Sequence, residues 1–341
     1  MRTERMGDDA QDKSVSKKLR LLVSGALLVW LAWRTDWNQV GAAFLHLRVE
    51  FWLAAAALLL LAQVASAVRW RLLAQPLGFH RPLRQFVGFY FVGMFFNLLL
   101  PTSVGGDVVR AWYLDGNSGR KLPAFLSVFV DRLSGLLILL AVACVADILC
   151  PIPLPFWIGA SIWATAGCAV LGLVALPVVH HYVRPGQGRI GTHIVSLSHS
   201  LTLLFGQTRL LLITTALSLL VQVVNVVLLW LIGLAIDAPV PAGYCGIVVP
   251  MVTLLTLLPV SLNGMGVREG GMVLFLAPLG IGSATALTLA FLWFSLFVAV
   301  SLLGAAIYLF GTLSQSGERT HDSFVGRDSD QGRARQPQAA A

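Results

Sequence analysis

Apolar residues run along this chain in blocks too long for an ordinary soluble core. Leu19–Trp33, Phe51–Val68, Leu133–Cys150, Phe156–Val179, Leu210–Ile236 and Ser283–Phe310 approach or exceed the roughly 20 residues that a helix needs to cross a bilayer core about 30 Å thick. They predict six membrane-crossing helices, the first of them short. Two further blocks, Phe86–Leu100 and Tyr244–Leu262, are broken by residues that hydrocarbon tolerates poorly. Met272–Pro278 is a short apolar exit from the second break.

The two breaks share a pattern. The first runs Asn97-Leu98-Leu99-Leu100-Pro101-Thr102-Ser103-Val104-Gly105-Gly106-Asp107-Val108-Val109-Arg110. The second runs Thr256-Leu257-Leu258-Pro259-Val260-Ser261-Leu262-Asn263-Gly264-Met265-Gly266-Val267-Arg268-Glu269. Aligned, both read Pro-x-Ser-x-x-Gly-x-x-Val-Arg. Proline removes an N–H and clashes with the preceding turn, glycine frees the backbone, and a charge at the bilayer centre costs about 2.5–3.5 kcal/mol on insertion scales. Such a break in both halves of one chain predicts an internal repeat around a polar site in a membrane transporter.

Charge sets the expected topology through the positive-inside rule. Six Lys/Arg precede the first span, four lie in Arg69–Arg84, and Arg184, Arg189 and Arg209 lie in His180–Arg209. These segments are expected inside, as is the tail with Arg319, Arg327, Arg333 and Arg335. The segments Arg34–Glu50, Cys150–Pro155 and Asp237–Pro241 are poor in basic residues and expected outside. Arg110, Arg120, Lys121 and Arg132 fit an inside position only if Phe86–Leu100 enters from the cytoplasm, turns at Pro101–Asp107 and returns. Tyr244–Pro278 repeats this from the other side. Such re-entrant hairpins are allowed where protein or water satisfies their backbone. Each half then reads span, span, hairpin, span. An odd number of crossings inverts one half relative to the other. The expected fold is an all-α polytopic integral membrane protein with about six transmembrane helices plus two re-entrant hairpins in an inverted repeat. Its domain would cover 19–311, in halves of about 19–150 and 156–311, between a disordered cytoplasmic N-terminus (1–18) and a disordered cytoplasmic tail (312–341). The 158-residue offset from Pro101 to Pro259 also maps Phe86 onto Tyr244.

Composition agrees. The chain is 57% apolar and 12% charged, against about 25% charged in soluble domains. The net charge of +8 is concentrated beside the spans, so it predicts membrane topology and no nucleic-acid partner. No cleavable signal peptide is expected, because residues 1–20 are polar and no small-residue cleavage site follows. Cys144, Cys150, Cys168 and Cys245 match no zinc or redox spacing. They are expected to pack as small apolar residues, with a Cys150–Cys245 disulfide as the rival reading. His180, His181, His193 and His199 match no metal-ligand set. Neither a Walker loop, a Gly-x-Ser-x-Gly or Ser-x-x-Lys nucleophile, nor a His-Glu-x-x-His pair occurs. No cofactor is therefore expected.

The candidate chemistry lies in the breaks. Asp107 and Arg110 sit three apart, on one face if the exit segment is helical. Arg268 and Glu269 take the matching place. Gly105, Gly106 and Gly264 open helix starts whose free N–H groups suit phosphate. With Asn97, Ser103, Ser261 and Asn263, these residues are expected to line a cavity for a zwitterionic or anionic lipid headgroup. Arg would grip phosphate in a bidentate manner, and Asp or Glu would hold an amine or hydroxyls. A neutralising ion pair is the rival role for Asp107–Arg110. Asp131-Arg132 is read as either a gate or an interfacial anchor, and Arg69, Trp70 and Arg71 as interfacial anchors. Gln63, Gln222 and Asn225 are expected to join helices. Asp107, Asp131 and Glu269 are candidates for proton coupling if buried.

The motifs Pro101–Ala111, Asp131-Arg132 and Pro259–Gly270 resemble the signatures of the lysylphosphatidylglycerol synthase transmembrane-region family, also called flippase-like. The resemblance covers about residues 15–312. It implies movement of a polar-headgroup lipid between leaflets of a bacterial inner membrane: an aminoacyl-phospholipid, glycolipid, polyprenyl-linked or hopanoid lipid. A lipid-synthesis enzyme is then a candidate partner. Two departures matter. Nothing after Phe310 could form the family's soluble aminoacyl-transferase domain, so no synthase activity is expected. Asn263 stands where the family often has Gly, and Asp131-Arg132 where it often has Glu-Arg. The competing readings are an intramembrane transferase acting on lipid-linked substrates and a non-transporting partner of a lipid synthase.

Overall fold

The computed structural model describes residues 47–100, 104–116, 118–150, 155–182, 207–238, 240–258, 261 and 264–333, with Gly41, Leu45 and Ile152. Side chains of residue 173, of 175–182 and beyond 311 are outside the description. The expected span Leu19–Trp33 falls outside the described residues, as do Pro101, Ser103, Pro259, Asn263 and most of the His180–Arg209 loop.

The described residues form helices and no strands. In chain order they are α1 (Val49–Ala74), α2 (Leu83–Leu99), α3 (Gly105–Asp115), α4 (Lys121–Leu149), α5 (Phe156–Tyr182), α6 (Thr208–Ala235), α7 (Ala242–Leu257), α8 (Val267–Leu276) and α9 (Ser283–Arg333). Among them α1, α4, α6 and the Ser283–Gly311 part of α9 are long and apolar enough to cross a membrane. The chain is thus a helical membrane protein.

Helix ends follow local chemistry. α2 stops at Leu100, extended at ψ 138°, as a residue ahead of proline should be. α4 tolerates Pro123 because a first-turn residue needs no intrahelical N–H bond. Three boundaries differ most from the hydropathy blocks. α1 continues past Val68 to Ala74, α4 begins at Lys121 rather than Leu133, and α9 stays helical past Phe310 to Arg333. In each case charged residues lower the hydropathy of a segment that is still helical: Arg69 and Arg71, then Lys121, Asp131 and Arg132, then Glu318 and Arg319.

Contacts fix the helix directions. Arg48 N–H donates to the Ala235 carbonyl at 2.9 Å, and at the other end Arg69 donates to Ser218 Oγ at 2.9 Å, so α1 and α6 are antiparallel. The loops after α1 and before α4 meet: Arg120 donates to the carbonyls of Leu77 at 2.5 Å and Gly78 at 3.1 Å. Hence α2 leaves from, and α3 returns to, the end of the bundle where α1 stops. α7 and α8 form the matching antiparallel pair at the end where α6 stops, with Tyr244 Oη donating to the Phe275 carbonyl at 2.7 Å.

Packing is symmetric under exchange of α1 with α6, α2 with α7, α3 with α8 and α4 with α9. α2 packs on α9 and α7 on α4; α3 packs on α4 and α8 on α9; α1 and α6 pack on each other. Residues 158 apart play like parts. Gly304 lies against the Phe91 carbonyl, where any side chain would collide, and its equivalent Ala146 meets Gly246 on α7. Phe86 and Tyr244 are both fully buried. The main apolar core lies where α7, α9 and α6 meet, around Ile247, Leu289 and Leu229. All four thiols are free, so the Cys150–Cys245 disulfide does not form.

Candidate functional site

The first break closes tightly. Gly106 N–H donates to Asn97 Oδ1 at 2.7 Å, which ties the start of α3 back to the end of α2. A side chain on Gly106 would run into the Gly93 carbonyl. Asp107, in the first turn of α3, therefore faces inward at the positive end of that helix.

Around it three guanidinium groups share two carboxylates. Asp131 accepts from Arg69 Nε at 2.9 Å on one oxygen and from an Arg110 terminal nitrogen at 3.1 Å on the other. Asp107 pairs with Arg110 at 3.5 Å and with Arg132. Arg110 also lies over the rings of Trp70 (4.3 Å) and Tyr90 (4.1 Å), contacts that attract a cation. Trp70 is held by a hydrogen bond from its indole to Ser127 Oγ at 3.1 Å. Arg69, Asp107, Arg110 and Asp131 are buried, whereas the Arg132 side chain is 40% exposed. Burying ions costs several kcal/mol each unless geometry and hydrogen bonds repay it. Here each buried charge has a partner, and the cluster retains one positive charge in excess. Arg110 Nε, buried without a hydrogen-bond partner, is the one unsatisfied atom of that side chain.

The second break is self-contained. Gly266 sits at φ +81°, a backbone open to glycine, and its N–H donates to Glu269 Oε2 at 2.6 Å. Arg268 pairs with the other oxygen of Glu269 and lies 4.4 Å over the Phe294 ring. Glu269 is buried, and the Arg268 side chain is 13% exposed. Ser261 is buried with no partner for its hydroxyl, and Gly264 is also left-handed at φ +75°.

Of the expected site residues, Asn97, Gly105, Gly106, Asp107, Arg110, Asp131 and Arg132 come together; Gly264, Arg268 and Glu269 form a separate group. A cavity of about 440 Å³ lies elsewhere, between α4, α6 and α7, and none of the expected site residues lines it. Gln222 joins helices as expected, donating to the Gly135 carbonyl at 3.1 Å. No grouping of His, Cys, Asp and Glu suited to a metal occurs among the described residues.

Arg69 and Trp70 correct the sequence reading. They are buried partners of the ion cluster, not interfacial anchors. Ser218 and Tyr90 were missed altogether. A signal for Arg69 existed: Ala55, Leu59, Ala62, Ser66, Arg69 and Leu73 recur at helical spacing and form the buried stripe of α1.

No curated protein and no solved structure matches the chain. A family model does, the lysylphosphatidylglycerol synthase TM region, and it matches residues 18–305. That span includes both broken hairpins and the whole ion cluster, and the chain belongs to this family.

Proposed function

We propose that the protein carries a polar-headgroup lipid between the leaflets of a bacterial inner membrane, without catalysing a reaction. The lipid class is an aminoacyl-phospholipid, a glycolipid, or a polyprenyl-linked or hopanoid lipid. The observation that carries this reading is the ion cluster with one positive charge in excess, mounted on a broken hairpin among span-length helices. Ionisable groups buried among membrane-spanning helices are costly and are kept where a polar cargo must be met.

The antiparallel α1–α6 pair and the partner exchange between halves support an inverted repeat of six spans and two re-entrant hairpins. Basic residues at the α1–α2 and α3–α4 loops support placing that end, and both termini, in the cytoplasm. In this scheme Arg69 and Arg110 hold Asp131, and through it the hairpin. Arg132 and Arg268, the more exposed cations, reach the headgroup phosphate. A lipid-synthesis enzyme is the candidate partner.

Leaflet exchange in reconstituted vesicles over a panel of labelled lipids tests this. Arg132→Ala and Arg268→Ala are expected to slow exchange of an anionic or zwitterionic lipid about tenfold, the loss of about 1.4 kcal/mol of binding. Exchange at the wild-type rate by both variants overturns the reading. Chemical turnover of a lipid by the purified protein would replace it with the transferase reading.

A further inference from the structure

One carboxylate near the far end of α4 has no part in the proposed headgroup site. Asp147 lies about 24 Å along α4 from Asp131, at 1.5 Å per residue. α4 begins at the end of the bundle where α1 stops, so Asp147 belongs to the opposite end, where α6 stops.

Three features make a negative charge costly there. Asp147 stands in the last turn of α4, the negative end of the helix dipole, which favours a cation over an anion. Its neighbours Ile148 and Leu149 are exposed apolar residues of a helix of membrane-crossing length. No cation is set against it: among the described residues Arg48 is the only Lys, Arg or His at that end, and it pairs with Asp237.

The carboxylate is nonetheless held in place. Trp163 of α5 donates its indole N–H to Asp147 Oδ2 at 2.9 Å. Gly159 lies one turn before Trp163 on the same face of α5, and a β-carbon there would touch Asp147 Oδ1 at 3.7 Å. Glycine thus leaves room beside Oδ1, an oxygen to which no other described residue donates. Phe156, two turns before Trp163, shares that face; the two are 90% and 50% exposed. Aromatic faces attract a cation within about 6 Å of the ring.

A carboxylate with an unused oxygen, a helix C-terminus and exposed rings all select positive charge. A divalent metal would ask for about six oxygen ligands, far more than one carboxylate supplies. A primary ammonium needs only acceptors for its N–H groups and is also drawn to ring faces. The exposed apolar side chains beside Asp147 suit an ammonium that arrives on a lipid.

We propose that Asp147, with Trp163 and Gly159, binds the primary ammonium of a membrane aminolipid headgroup. The inference goes beyond the transport reading: the first hairpin offers cations to a phosphate, and Asp147 offers an anion to an amine at the other end of the bundle. The internal repeat holds no counterpart, since the position 158 residues on is Ala305.

The test is native mass spectrometry of the full chain, stripped of lipid in detergent and titrated with phosphatidylethanolamine or with its N-acetyl derivative, whose nitrogen carries no charge. The wild type is expected to hold phosphatidylethanolamine about tenfold more tightly. Asp147→Asn, which keeps an oxygen for the Trp163 bond, should bind the two lipids alike. Asp147→Glu should keep the preference, and Trp163→Phe, which keeps a ring but releases the carboxylate, should lower it to about threefold. Equal binding of the two lipids by the wild type overturns the proposal. So does a preference that survives Asp147→Asn, which would leave Asp147 the role of fastening α5 to α4. Free ethanolamine at the same concentration should not displace the lipid, and displacement overturns the assignment to a lipid. Binding is read without transport, so a failure here leaves the leaflet-exchange reading standing, and absent exchange leaves the amine site standing.

Discussion

The two broken hairpins carry the same sequence pattern but opposite electrostatic solutions. At the first, Asp107 and Arg110 are tied through Asp131 to Arg69 of α1 and through it to Ser218 of α6. At the second, Arg268 and Glu269 are neighbours in sequence that satisfy each other and the adjoining backbone. Moving 158 residues along explains why. Asp107 becomes Met265, Arg69 becomes Val227, and Asp131-Arg132 become Leu289-Ala290. The repeat kept the hairpin and its arginine, and only one half kept the charged neighbours. A motif therefore specifies a backbone break, while the helices packed around it decide whether its charges link the bundle or stay local.

The sharpest way to break this comparison is to remove each acid. Asp131→Ala leaves Arg69 and Arg110 buried without their shared partner and is expected to cost about 3–5 kcal/mol. Glu269→Ala, beside a cation nearer the surface, is expected to cost about 1–3 kcal/mol. Denaturant unfolding in detergent measures both, and equal losses would erase the distinction. Next in size is Gly106→Ala, whose methyl meets the Gly93 carbonyl; about 3 kcal/mol is expected from overpacking. At the second hairpin Gly264→Ala, which strains a left-handed backbone, is expected to cost about 1–2 kcal/mol.

A double-mutant cycle of Arg69→Ala with Ser218→Ala should show coupling of about 1 kcal/mol, the scale of interhelical polar contacts in membranes. No coupling would mean the first cluster is confined to its own half. The smallest effect expected is that of Trp70→Phe, which keeps a ring under Arg110 but loses the indole bond to Ser127. About 1 kcal/mol is lost if that bond is an ordinary one. A neutral result would assign Trp70 to packing alone.

Much of the helical layout was readable beforehand. Long apolar blocks become helices wherever the medium is hydrocarbon, because every backbone group must be satisfied within the segment. The breaks at Pro101 and Pro259 were readable for the same reason. The helix ends were less so. The segments added to α1 and α4 hold Arg69, Asp131 and Arg132, and hydropathy does not register a charged residue that is paired inside the bundle.

The sequence alone determined that this chain is a helical membrane protein with a duplicated broken hairpin, since proline, glycine and apolar length act locally on the backbone. Only the tertiary structure decided which charges meet. Arg69 and Asp131 are far apart in the chain, as are Arg69 and Ser218, and their energies depend on distance and burial that packing alone supplies. It likewise decided where an apolar cavity of about 440 Å³ is left between α4, α6 and α7, because volume left unfilled belongs to no single residue.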